Sequence, residues 1–316
     1  MICVPALGRM MNAELTQFVD KYNDVEDIST LSIQIQAELV AARKMIEMKG
    51  FSVFALIVAI LFVIFITITC MNIKEKSTVN METATVGQMF KALLSNDQAM
   101  VVVASIVLIN CSIYTTSNLL IYFFKYDIAG VNWNDNYVLF SSFGGAIQIL
   151  SMMILYPLLR KIISTMKVFY LSMAMAIGGY LILFVMTFNG KVSVYGIMFP
   201  GFLIFAGAGM LTVLTTVFLA GTVDYGEKKN GRRDESIIFS MQTFVVKLAS
   251  GISAMIASVC LTLSNISNDT GDAIVVSENI NFFVLRATMT IVPIIGFVFA
   301  LIVFKNKYIL YKNNEI

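Results

Sequence analysis

The sequence predicts an all-α polytopic membrane protein with about seven transmembrane helices, and three observations carry that prediction. Hydrophobic residues make up 58% of the 316 and charged residues only 13%, against about 25% charged in a soluble domain. Mean hydropathy is +0.81. Apolar runs occupy 51–73, 98–124, 136–158, 168–188, 194–220, 237–263 and 280–304, each near or above the ~20 residues that a ~30 Å hydrocarbon layer requires. Lysine and arginine gather in every second link between those runs, which is how cytoplasmic loops are marked.

Taken in order, residues 1–50 form a hydrophilic segment. Ile28, Leu31, Ile35, Leu39, Ala42 and Ile46 recur every three or four positions within it, predicting an amphipathic helix at the membrane surface or in an external loop; a partner-binding helix is the other reading. Residues 51–96 hold the first span and a polar link, and 97–316 hold six further spans. Asn110, Tyr114, Asn118 and Gln148 place polar groups in the second and third runs, so those helices are expected to face a bundle interior. Pro157, Pro200 and Pro293 lie in or at the ends of spans, where bundles tolerate kinks. Gly201, Gly207 and Gly209 predict close helix packing in the fifth run, and Ser250, Ala254 and Ser258 a small-residue ridge for a neighbour in the sixth.

Orientation follows from the links. Lys74, Lys76 and Lys91, then Arg160, Lys161 and Lys167, then Lys228, Lys229, Arg232 and Arg233, then Lys305, Lys307 and Lys312 all fall on one side. The opposite links hold Lys125 and Lys191, and 264–280 carries only acids. The C-terminus is therefore expected in the cytoplasm of a multi-pass plasma-membrane protein. Seven spans then put the hydrophilic N-terminus outside with no signal-peptide pattern. This odd count predicts that the beginning of a longer protein is missing.

The chain has no histidine, and Cys3, Cys70, Cys111 and Cys260 are scattered without metal-ligand spacing. With no Walker loop, H-E-x-x-H or G-x-S-x-G motif, nothing marks an enzyme, a bound cofactor or a nucleic-acid partner. Lys247 is the exception to an otherwise uncharged set of span interiors. It lies about twelve residues into its helix, or ~18 Å at ~1.5 Å per residue, where an unpaired charge costs at least ~2.5–3.5 kcal/mol. Thr243 shares its face and Gln242 and Val246 flank it, a donor-rich patch suited to sugar hydroxyls or an anion. In 224–235, Asp224, Glu227, Asp234 and Glu235 alternate with four cations around the turn signals Gly226, Asn230 and Gly231. That pattern predicts either a charged latch or a plain solvated loop. Arg286 is expected to snorkel, and Lys125 and Trp133 to anchor at the interface. No acid lies mid-span, so any coupling-ion ligands must come from elsewhere.

VDYGEKKNGRRDESIIFSMQTFVVK (Val223 to Lys247) resembles the stretch that marks the glycoside–pentoside–hexuronide:cation symporters, a branch of the major facilitator superfamily. IYFFKYDIAG (Ile121 to Gly130) is similar to the end of that family's seventh helix, and the basic link after Pro157 fits as well. The resemblance covers about 51–312 and implies helices six to twelve of a twelve-helix fold. It implies that Lys247, Thr243, Gln242 and Val246 line a sugar cavity, and that Asp224, Glu227 and Arg233 belong to a gating charge network. It also implies sodium or proton coupling in the complete carrier, with cation ligands in an N-terminal half that this chain lacks. Two positions depart from the pattern: Gly221 stands where an aspartate is usual, and Thr212 where melibiose-carrying members have a sugar-stacking tryptophan.

The leading expectation is thus the C-terminal part of a sugar:cation symporter working by alternating access, incomplete alone, with membrane lipid, a glycoside and a missing half as partners. A lipid or amphiphile carrier on the same fold and a non-transporting fragment are the alternatives. A seven-helix receptor or retinal protein would be expected to carry a Schiff-base lysine in the last span with a buried counter-ion, whereas Lys247 is in the sixth.

Overall fold

Because a membrane-crossing backbone must satisfy its own hydrogen bonds, each apolar run becomes a helix. The computed structural model describes residues 3–22, 33–73, 87, 94–128, 133–188, 193–230, 235–266 and 280–310. Seven helices in it are long and apolar enough to cross a membrane: Lys44–Asn72, Asp97–Ile128, Trp133–Ile162, Thr165–Phe188, Val194–Lys229, Glu235–Leu263 and Phe282–Lys307. The chain divides into two units, Met1–Glu82 and Thr83–Ile316.

In the first unit, α1 (Cys3–Met11) and α2 (Ala13–Asp20) pack against the early part of α3 (Ile33–Asn72). Leu39, Ala42 and Ile46 are buried, the last two in a small core with Val19, Leu15 and Phe18. The apolar face expected at the membrane surface is thus taken up by the chain's own α1–α2 pair; Ile28 and Leu31 lie outside the described residues. The helix passes unbroken from this hydrophilic stretch into the first span, whose side chains are exposed, as a lipid-solvated helix would be.

The second unit contains α4 (Asp97–Tyr122), α5 (Trp133–Leu150), α6 (Tyr156–Ile162), α7 (Thr165–Phe188), α8 (Val194–Asn230), α9 (Glu235–Leu263) and α10 (Phe282–Lys307). α4 continues as a π-helical stretch, Phe123–Ile128, and α5 runs through another, Ser151–Leu155, into α6. The second sits just ahead of Pro157, whose missing N–H breaks the regular ladder. α4 packs against α8, α9 and α10; α7 lies against α8 and α10, and α5 against α8.

Small residues set the closest approaches. A Cβ at Gly207 would sit 2.7 Å from the Ser172 carbonyl oxygen on α7, and one at Gly209 2.5 Å from that of Gln148 on α5. The packing reading of these glycines holds.

α4 and α10 run antiparallel and are tied at both ends and between. At one end Gln98 Nε2 donates to the Lys307 carbonyl (3.3 Å) and Gln98 Oε1 accepts from the Ile309 N–H (3.0 Å). At the other, Arg286 donates to both oxygens of Asp127, Nε to Oδ2 at 2.8 Å and Nη2 to Oδ1 at 2.5 Å. Arg286 therefore does not snorkel. Its guanidinium is held by a carboxylate 159 residues away whose side chain is only 7% exposed.

Between these ends, Pro293 has no N–H to pair with the carbonyl of Met289 one turn earlier. Thr116 Oγ1 of α4 donates to that carbonyl at 3.1 Å, and the buried Tyr180 hydroxyl of α7 donates to Thr116 Oγ1 at 2.9 Å. The proline site is thereby capped and three helices are joined. In a Tyr180→Phe background, Thr116→Val is expected to cost about 1–3 kcal/mol, the penalty of an orphaned buried carbonyl. Adding Pro293→Ala restores an N–H at 293 and should erase most of that cost. Thermal unfolding of the purified variants reads this, and an equal loss with and without Pro293 would refute the capping role.

The fifth span differs from expectation at its end. α8 continues to Asn230, so 224–230 is helix and not part of a charged loop. Glu227, Lys228 and Lys229 are good helix formers. Gly226, read as a turn signal, is instead a contact: a Cβ there would lie 2.6 Å from Asn96 Nδ2. Asn96 caps α4, accepting from the Ala99 N–H at 3.0 Å, and donates to the Thr222 carbonyl at 2.8 Å.

Candidate binding face on α8 and α9

α9 has three faces with different chemistry. Ile238, Met241, Val245, Ala249, Ser253, Ala257 and Cys260 are buried, on the side packed against α4. Phe244, Leu248, Ile252, Met255, Val259 and Leu263 form an exposed apolar strip, the surface hydrocarbon would solvate. Ser240, Thr243, Lys247, Ser250, Gly251, Ala254 and Ser258 form an exposed strip of polar and small residues. The small-residue ridge that admits a neighbour is thus Ala249, Ser253 and Ala257, one position out of phase with the ridge expected at Ser250, Ala254 and Ser258.

α8 presents a matching exposed line, Thr212, Thr216, Ala220, Asp224 and Glu227, at three- and four-residue spacing. The two lines meet where Gln242 Nε2 donates to Thr216 Oγ1 at 3.0 Å. About three turns further along α9, on its buried face, Asn118 Nδ2 of α4 donates to Ser253 Oγ at 3.3 Å. Gln242 and Val246 are half-buried, Val246 touching the main core, while Thr243 and Lys247 are exposed. Among the described residues no carboxylate pairs with Lys247. An ammonium so placed needs water or a ligand, because a facing hydrocarbon layer would leave it bare.

The sequence-predicted charge network is only partly visible. Asp224 and Glu227 lie exposed on the last turns of α8, and Arg233 lies outside the described residues. The ion pair seen at this end is a different one. Lys229 Nζ is 2.6 Å from Asp97 Oδ1, and the Tyr225 hydroxyl donates to the same oxygen at 3.2 Å. Both charged side chains are about half exposed, 44% and 54%, so water screens the pair and it suits a contact that forms and breaks. Sequence reading missed Asp97 and Tyr225, and took Lys229 only as one of the four cations of a loop. The available signal was the four-residue spacing of Tyr225 and Lys229, which puts them on one face once α8 is extended.

Residues 28–308 match the family described as MFS/sugar transport protein. The chain belongs to that family. It is a family of transporters, not enzymes, and with seven apolar helices the chain is a multi-pass membrane protein. The chain is 26% identical over 267 residues to the lactose permease of Leuconostoc lactis, covering 81% of this chain and 39% of that relative. It is 28% identical over 217 residues to the isoprimeverose transporter of Lactiplantibacillus pentosus, covering 67% and 43%. To the raffinose carrier protein of Pediococcus pentosaceus it is 22% identical over 267 residues, covering 83% and 40%. The chain thus spans about two-fifths of the length of these curated relatives.

Proposed function

We propose that the unit containing α4–α10 acts as the C-terminal half of a sugar:cation symporter of the glycoside–pentoside–hexuronide type, working by alternating access against a second helical half. The exposed polar face of α8 and α9 carries this reading. It lies mid-span, centred on a lysine without a protein carboxylate among the described residues, and only a polar cavity makes such a surface tolerable in a membrane. In this reading Lys247, Thr243, Gln242 and Val246 line the sugar site, while Asp224, Glu227 and Arg233 belong to a gating network. The substrate is a glycoside or oligosaccharide, in keeping with relatives named for lactose, isoprimeverose and raffinose.

The coupling cation, sodium or proton, is proposed to bind ligands of the other half. The buried carboxylate Asp127 supports this placement, because Arg286 already occupies both its oxygens. The setting is the plasma membrane, with the C-terminus and the Asp97–Lys229 end in the cytoplasm, in line with the basic links at that end. A Ser267→Cys variant should then label with an impermeant thiol reagent only from outside the cell; labelling only from the cytoplasm would overturn the orientation.

The direct test is uptake of labelled lactose and raffinose into proteoliposomes under an imposed sodium or proton gradient. The 316-residue chain is measured alone and with the N-terminal half of the lactose permease relative. Gradient-driven uptake appearing only with the added half is expected. Uptake by the chain alone would refute the two-half reading, and none under either condition would refute sugar transport.

A further inference from the structure

We propose that Thr216 is a positioning residue that turns the Gln242 carboxamide oxygen toward the binding face, so that the site selects neutral sugars over sugar acids. The inference rests on the sugar-site reading above and deepens it. A threonine hydroxyl has one proton. That of Thr216 points back to the Thr212 carbonyl, 3.3 Å away, an oxygen that can only accept and that also receives the Thr215 hydroxyl at 3.1 Å. Toward Gln242, Thr216 therefore offers a lone pair. The contact at 3.0 Å requires the Gln242 NH2 group, and the choice of amide orientation follows from this network. Gln242 Oε1 is left as a free acceptor among the described residues.

Thr243, the next residue, repeats the pattern. Its hydroxyl donates back to the Phe239 carbonyl at 3.4 Å, leaving lone pairs outward. In this proposal the face is not simply donor-rich: it combines one strong donor, the Lys247 ammonium, with two acceptors, Gln242 Oε1 and Thr243 Oγ1. A sugar hydroxyl can donate to these oxygens while accepting from Lys247. A carboxylate can only accept, so it would pair with Lys247 and meet lone pairs at Gln242 and Thr243. Leaving such groups unpaired is what makes a hydrogen-bonding site reject the wrong ligand.

The test compares lactose with its analogue carrying a C6 carboxylate on the galactose ring, as competitors of uptake and in equilibrium binding to the reconstituted protein described above. Lactose is expected to bind at least ~10-fold tighter, the size of one mispaired hydrogen bond. Thr216→Val should free the amide, raise KM for lactose with maximal rate held, and cut the preference below ~3-fold. Thr216→Ser should restore both. Gln242→Met should match Thr216→Val, and the double variant should lose nothing further, a non-additivity that marks residues acting as a unit. Equal or tighter binding of the acid by the wild type would overturn the proposal. So would a preference that survives Thr216→Val, failure of Thr216→Ser to rescue, or additive losses in the double variant. Failure of the underlying reading looks different: neither sugar binds the wild type, or Lys247→Ala changes nothing.

Discussion

Replacing Asp127 by alanine is expected to be among the most damaging single changes to this bundle, lowering its stability by about 3 kcal/mol. The physical reason is the partner left behind. Arg286 cannot shed its proton at any attainable pH, so its guanidinium would stay charged without the two carboxylate oxygens it now grips. Its side chain is 26% exposed, enough for water to relieve part of the penalty, which puts the loss at the lower end of the range for buried pairs. Removing both charges in Asp127→Leu/Arg286→Leu should recover most of the stability, since an apolar pair of similar size needs no counter-charge. With Asp127 in place, Arg286→Lys should itself lose stability, because an ammonium cannot span both carboxylate oxygens. Thermal midpoints of the wild type and the three purified variants in detergent read these expectations. A double-leucine variant no more stable than Asp127→Ala would show that the pair matters for something besides its charges.

That pair also marks where sequence reading reached its limit. The spans were legible because hydropathy over ~20 residues is a local property. Lys247 was legible because a mid-span charge is conspicuous against its own helix. What joins Asp127 to Arg286 is not local: the acid lies just past the end of an apolar run, the base was expected to snorkel, and nothing in either neighbourhood names the other. The end of α8 failed for a related reason. Gly226 and the surrounding charges read as a turn, but the contact that favours glycine there is Asn96, which precedes α4. The ridge on α9 failed by rotation. Small residues at four-residue spacing occur in two adjacent phases, Ala249, Ser253, Ala257 and Ser250, Ala254, Ser258, and only packing against α4 selects the first. The polarity of the proposed binding face turns on a detail that residue types do not carry. Residue types list hydroxyls and amides as donors, yet the backbone carbonyls of Thr212 and Phe239 take the protons of Thr216 and Thr243.

Lys247→Ala is expected to weaken sugar binding by about 10- to 100-fold while leaving the folded bundle as stable as before. A hydrogen bond to a charged group is worth about 1.5–3 kcal/mol, and each 1.4 kcal/mol is tenfold in affinity. The stability half of the prediction comes from the geometry. Lys247 lies on the exposed strip of α9, opposite the face buried against α4, and pairs with no carboxylate among the described residues. Its removal therefore breaks no packing and strands no counter-charge, and the unfolding midpoint should move by no more than a surface substitution would, within about 0.5 kcal/mol. A lysine facing lipid instead of a cavity would behave in the opposite way. Its loss would favour insertion by about 2.5–3.5 kcal/mol and leave binding alone. Equilibrium sugar binding and thermal unfolding, measured on the same Lys247→Ala preparation, separate the two cases. Lys247→Arg should not rescue binding, because a planar, delocalised guanidinium does not present the one compact charge of an ammonium. Full sugar affinity in Lys247→Ala, or raised stability with unchanged binding, would remove this lysine from the sugar site.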